Sequence, residues 1–164
     1  MSAKTVLQWK GNMAFEVELQ GHRFMVDADP EFGGRELGPR PKALVLSALA
    51  GCTGMDVVSM LAKMRMPYDS FRVEVDGQDT EEHPKVYKEI LIRYVFSGAS
   101  LDREKIEKAV NLSLTRYCGV HAMLGKTAAI SHELVLSPPE GWAPTANRAP
   151  SRPSIPAPCN QAAN

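Results

Sequence analysis

Cysteine is scarce in this 164-residue chain, which holds three, widely spaced at Cys52, Cys118 and Cys159. An odd and dispersed set excludes the disulfide framework of a small secreted domain and fits a reducing compartment, so each thiol has to be read by itself. Net charge is missing too. Nineteen basic residues balance nineteen acidic ones, leaving no field of one sign to recruit nucleic acid or an anionic membrane, and neither partner is expected. The chain also lacks the nearly unbroken run of roughly 20 apolar residues that a membrane span wants. Its longest apolar stretch, Ala43 to Ala62, is broken by Ser47, Cys52, Thr53, Asp56 and Ser59 and reads as a buried core helix. The opening MSAKTVLQWKGNMAF has neither the apolar core of a signal peptide nor the Arg/Ser bias of a transit peptide, so the expected location is cytoplasmic. No phosphate-binding glycine motif occurs, and no flavin or nicotinamide cofactor is expected.

What is present is periodicity. Phe15, Val17 and Leu19 alternate with polar residues, Gln20-Gly21 turns the chain, and Phe24 and Val26 continue the pattern. This predicts a hairpin, joined by a strand near Val6 to Trp9. The run PEFGGRELGPRP from Pro30 to Pro41 is a loop. From Lys42 to Met64 the residues favour helix, with Leu44, Ala48, Cys52 and Asp56 in one i+4 row. Phe71, Val73 and Val75, then Ile90, Ile92, Tyr94 and Phe96, predict a second hairpin. Ser100 is a candidate N-cap for a second helix, whose buried row is Ile106, Val110, Leu114 and Cys118. A short strand from Ala128 to Leu136 closes an α+β domain in which antiparallel sheet packs on two central helices. Residues 1–136 form that domain. Residues 137–164 hold seven of the twelve prolines and no periodicity, which predicts an extended or disordered tail.

A cysteine in an apolar helical row is more often inert core than nucleophile. Two such thiols, one on each of the only two predicted helices, are a different matter, because packed helices approach within about 8–10 Å and facing cysteines can meet. A pair of this kind suits peroxide reduction: one thiolate becomes a sulfenic acid and the other condenses with it to a disulfide. An apolar site alone raises a thiol pKa, so a cation or hydrogen-bond donor is needed. The candidates are Arg35 and Arg40 in the loop, Lys42 at the helix start, and His121 and Arg116 near Cys118. Asp56, one turn beyond Cys52, has the wrong sign for an activator and reads as a supporting or structural group. Cys118 and His121 with Cys52 offer metal donors at too sparse a spacing to define a site, so no metal is expected. Cys159 reads as an exposed bystander.

The run GPRPKALVLSALAGCTGMDVVSMLAKM and the segment RYCGVHAML resemble the two cysteine motifs of the OsmC/Ohr family, and residues 5 to 136 match its element order. The Cys52-Thr53 and Asp56-Val57-Val58 steps are similar to the YhfA-like branch. The resemblance implies an intertwined homodimer with sites at the subunit interface, Cys52 as the attacking thiol and Cys118 as the resolving one. It further implies an organic hydroperoxide substrate, a lipoyl- or thioredoxin-type dithiol reductant and a part in oxidative or osmotic stress defence. Two departures stand against it. Peroxidase members usually carry Glu after the loop proline, where this chain has Lys42 after Pro41, and the family's activating Arg has no counterpart in QWKGNMAFEVEL. The expected function is therefore a thiol-dependent hydroperoxide reductase, with a non-catalytic ligand-binding or redox-sensing module as the alternative.

Overall fold

A computed structural model describes residues 3–137; the tail expected beyond the domain, with Cys159, lies outside the described residues. Six strands and three helices follow in the order β1 (Thr5–Trp9), β2 (Phe15–Leu19), β3 (His22–Val26), α1 (Ala43–Lys63), β4 (Ser70–Asp79), β5 (Tyr87–Ser97), α2 (Arg103–Leu112), α3 (Gly119–Leu124) and β6 (Ala129–Ser137). β1, β2 and β3 form an antiparallel meander. Gln20 and Gly21, both at positive φ, make the tight turn that their sequence signalled. The loop from Pro30 holds one short 3-10 turn, Pro30–Phe32. Asp27, 2% exposed, anchors it: its carboxylate accepts the backbone N–H groups of Ala28, Arg35 and Leu37. Those bonds, that of Arg35 first, hold its pKa below the usual carboxylate range.

The second sheet runs β4-β5-β6. β4 and β5 are antiparallel, but β6 lies parallel to β5, the one pairing outside the antiparallel expectation. A parallel partner needs a long crossover, and α2 and α3 supply it. Ile90, Ile92, Tyr94 and Phe96 of β5 point into the core, meeting Leu49, Val57 and Leu61 of α1 and Ile106, Ala109 and Val110 of α2. Gly54 lets α1 approach the sheet closely, since a side-chain carbon there would stand 3.3 Å from Val73.

Two expectations for the helices need correction. The row Leu44, Ala48, Cys52, Asp56 is not the buried face of α1; that face is Leu49, Thr53, Val57 and Leu61, one residue further on, and Cys52 is only half-buried on its flank. Nor is α1 covered on every side, for Met55 and Val58 are exposed. By length and composition alone α1 would also pass for a membrane span; its packed face places it in this core. The second helix does not run from Ser100 to Cys118. Asp102 is the N-cap, accepting the Lys105 N–H at 3.1 Å. After Leu112 the chain makes a π turn over Ser113–Tyr117, closed by the Cys118 N–H on the Ser113 carbonyl at 2.8 Å, before α3 begins.

Candidate active site

Cys52 sits in the third turn of α1 and Asp56 one turn later, so both side chains leave the helix on one side. Cys118 arrives from the other direction. It caps α3, where its sulfur accepts the His121 backbone N–H at 3.4 Å. The π turn makes this geometry: the extra residue in its ring shifts the register, ending the helix so that Cys118 adopts an extended φ of −73° and ψ of 98°. The two sulfurs and a carboxylate oxygen of Asp56 all lie within 4.8 Å of one another. Both thiols are free, Cys52 half-buried and Cys118 only 3% exposed. The Cys118 thiol is pushed up to about 11, first by burial, then by its hydrogen bond with the Cys52 sulfur, with negative charge on Cys52 and Asp56 adding to the effect.

Beneath this trio runs a chain of hydroxyls that was not expected from the sequence. Tyr94 Oη is 2.6 Å from Thr53 Oγ1, Thr53 Oγ1 is 3.0 Å from Ser113 Oγ, and Ser113 Oγ is 2.9 Å from Asp56 Oδ2. Tyr94, Thr53 and Ser113 are wholly buried. Ser113 Oγ is the donor in both of its contacts, sharing its one proton between Thr53 Oγ1 and Asp56 Oδ2, and between Thr53 and Tyr94 either hydroxyl can donate. The chain thus fixes the Asp56 carboxylate beside the sulfurs. Tyr94 itself is pushed up to about 12, chiefly by burial. Thr53 was visible in sequence as an interruption of the apolar run and as part of the Cys52-Thr53 step, with no hydrogen-bonding role attached, and Ser113 and Tyr94 had no mark beyond their place in periodic segments.

The expected activators go elsewhere. Arg35 donates to the carbonyls of Lys10 and Gly11 in the first hairpin, Arg40 pairs with Asp29, and Lys42 pairs with Asp79 and lies over the Tyr87 ring. Arg116 stands over the neighbouring Tyr117 ring. His121 reaches the site through its backbone; burial lowers the pKa of its ring, against the opposing effect of its bond to the Leu114 carbonyl. Among the described residues no ion pair joins a cation to Asp56. The site is therefore two thiols and one carboxylate, organised by neutral hydroxyls.

Known proteins share this framework. The chain is 31% identical to Protein YhfA of Escherichia coli K12 over 127 residues, 77% of this chain and 92% of that one. The crystal structure of a hypothetical protein from Aquifex aeolicus superimposes with a TM-score of 0.75 at 26% identity, covering 85% of this chain and 99% of its own. The fold also matches the organic hydroperoxide resistance protein OhrB of Bacillus subtilis, at a TM-score of 0.56 and 20% identity over 82% of this chain and 98% of that one. The family model for OsmC-like proteins matches residues 33–133, from the loop before α1 to β6 and so across both cysteine motifs. By that match and its kinship with YhfA, this chain belongs to the OsmC-like protein family.

Proposed function

We propose that this chain is a thiol-dependent peroxidase that reduces organic hydroperoxides, with Cys52 as the attacking and Cys118 as the resolving thiol. One observation carries the assignment: two free sulfurs lie together with unequal exposure and unequal environment. The half-buried Cys52 meets substrate. Its thiolate attacks the peroxide, the O–O bond breaks, and the alcohol leaves while Cys52 becomes a sulfenic acid. Cys118, buried and protonated, then attacks the Cys52 sulfur; a disulfide forms and the hydroxyl departs as water, carrying the Cys118 proton. A thiol held near 11 needs a proton acceptor at that step, and Asp56, held within 4.8 Å by the hydroxyl chain, is placed to relay it. A lipoyl- or thioredoxin-type dithiol reopens the disulfide, which suits a cytoplasmic setting.

The working unit in this reading is a homodimer. Ala14, Val17 and Val26 are buried but lie outside the main core cluster, and the β1–β3 register puts Leu7, Trp9, Phe15, Val17, Leu19, Phe24 and Val26 on one face. Leu7, Trp9, Phe15, Leu19 and Phe24 are exposed on it. An isolated three-stranded meander does not leave such a face in water, and a second subunit would cover it. The engagement of Arg35, Arg40 and Lys42 with other groups favours the other reading, a binding or sensing module, unless the partner completes the site.

The test mixes reduced full-length protein with an alkyl hydroperoxide and excess dihydrolipoamide. Peroxide loss should be far faster than with the same concentration of free cysteine. Cys52→Ser should abolish it, whereas Cys118→Ser should keep the first turnover and accumulate sulfenic acid. A wild-type rate no better than free cysteine rejects the peroxidase and leaves the binding or sensing module.

A further inference from the structure

Two thiol sulfurs and a carboxylate oxygen within 4.8 Å of one another are more than a disulfide requires. For a redox pair alone Asp56 is an awkward neighbour, since a carboxylate opposes the ionisation of adjacent thiols. The same donors suit a cation. Cys52 and Asp56 stand at i and i+4 on one helix, the spacing at which two side chains grip one ion from a helix face, and Cys118 approaches from a second element. Zinc sits about 2.3 Å from thiolate sulfur and about 2.0–2.2 Å from carboxylate oxygen. Tetrahedral placement at those lengths separates donors by about 3.5–3.8 Å, so modest side-chain rotation closes the site.

The surroundings are those of a metal ligand set. Ser113 donates to Oδ2 of Asp56 at 2.9 Å, orienting the carboxylate while leaving its other oxygen available, and Thr53 and Tyr94 hold Ser113 from behind. The His121 N–H donates to the Cys118 sulfur, a bond that favours the thiolate. Such outer partners fix the orientation of ligands in metal sites. Arg35, Arg40 and Lys42 are engaged with other groups and do not balance the three anionic donors here.

We propose that Cys52, Asp56 and Cys118 bind one thiophilic divalent ion of the zinc class per chain, and that hydroperoxide expels it by oxidising the two sulfur ligands. Two thiolates select zinc-like ions over magnesium or calcium, and three protein donors leave a fourth position for water. Expulsion balances: two metal-bound thiolates, one hydroperoxide and two protons give one disulfide, one alcohol, one water and the free ion. Binding stands independently of the peroxidase reading; expulsion rests on it. The ion masks the thiols at rest, and its release reports oxidation.

Reduced full-length protein, stripped with chelator, is equilibrated with limiting zinc chloride and passed through a desalting column before its zinc is measured. The expected result is one zinc per chain, and the cobalt-loaded protein should show thiolate-to-cobalt charge-transfer absorption. Cys52→Ser and Cys118→Ser should lose retention, Ser113→Ala should bind about 10–100-fold more weakly, and Cys159→Ser should retain a full equivalent. Failure of wild-type protein to retain zinc, absence of the charge-transfer band, or equal retention by Cys52→Ser overturns the site. Metal-free protein that reduces peroxide yet retains no zinc refutes this inference and leaves the peroxidase standing. Protein that retains zinc but neither reacts with hydroperoxide nor releases the ion refutes expulsion and the peroxidase together while the binding site stands.

Discussion

Ser113 is the residue on which the site turns, because it joins the buried hydroxyls of α1 and β5 to the carboxylate beside the sulfurs. Ser113→Ala deprives both Thr53 and Asp56 of a donor, and leaving buried groups short of a partner costs about 1–3 kcal/mol. Chemical denaturation should show a loss of that size, whereas an unchanged midpoint would mean the hydroxyl chain holds nothing together. Cys118 makes the stability sensitive to alkali. Its folded pKa of about 11 lies above the ordinary 9.0, so the fold favours the neutral thiol. That contribution is complete below pH 9 and is lost as pH rises through 11. Tyr94, raised from 10.0 to about 12, extends the loss upward with the same sign. The denaturation midpoint should therefore begin to fall above about pH 9, and Cys118→Ala should flatten the first part of that decline. An equally steep fall in the variant would assign the alkaline sensitivity to other groups.

At the level of elements, the π turn over Ser113–Tyr117 decides whether the second thiol meets the first. A regular α-helix would carry Cys118 on along the row of Ile106, Val110 and Leu114; the wider turn instead stops the helix and makes Cys118 the cap of α3. Removing Thr115, an exposed residue inside that turn, should restore α-helical register and rotate Cys118 by about 100° about the helix axis. The variant should fold, for the core side of α2 ahead of it is untouched, but should form no Cys52–Cys118 disulfide when one equivalent of alkyl hydroperoxide is added. Non-reducing peptide mapping reads this directly. Disulfide formation at the wild-type rate would show that the turn is incidental to the site.

Across the whole molecule the imbalance lies between the main core cluster, built from residues 46 onward, and an N-terminal sheet whose apolar face, buried at Val17 and Val26, is exposed at Leu7, Trp9, Phe15, Leu19 and Phe24. If a second subunit covers that face, Leu7→Glu with Phe24→Glu should shift the protein to monomer in sedimentation velocity. The wild type should remain dimeric at micromolar concentration and at high salt, because the contact is apolar and the net charge zero. A wild-type monomer would remove the dimer, and with it any cation supplied to the sulfurs from a partner.

The sequence alone determined the six strands, α1, α2 and their order, but not α3. Alternation over residues 15–26 and 71–96 and the glycine and proline punctuation of the loop after Pro30 each rest on local steric and burial rules that need no partner to be read, whereas the two cysteine motifs were legible through their resemblance to a family. It could not determine which face of α1 is buried. Apolar residues surround that helix, so the periodicity is nearly flat, and the choice of Leu49, Thr53 and Val57 over Leu44, Ala48 and Cys52 was made by the sheet it packs on. The parallel register of β6, the π turn before Cys118 and the path of hydroxyls from Tyr94 to Asp56 were likewise decided by tertiary structure. Each depends on groups distant in sequence, as Thr53 and Ser113 are, and only packing α1 against α2 and β5 gives their hydroxyls one another as partners in place of water.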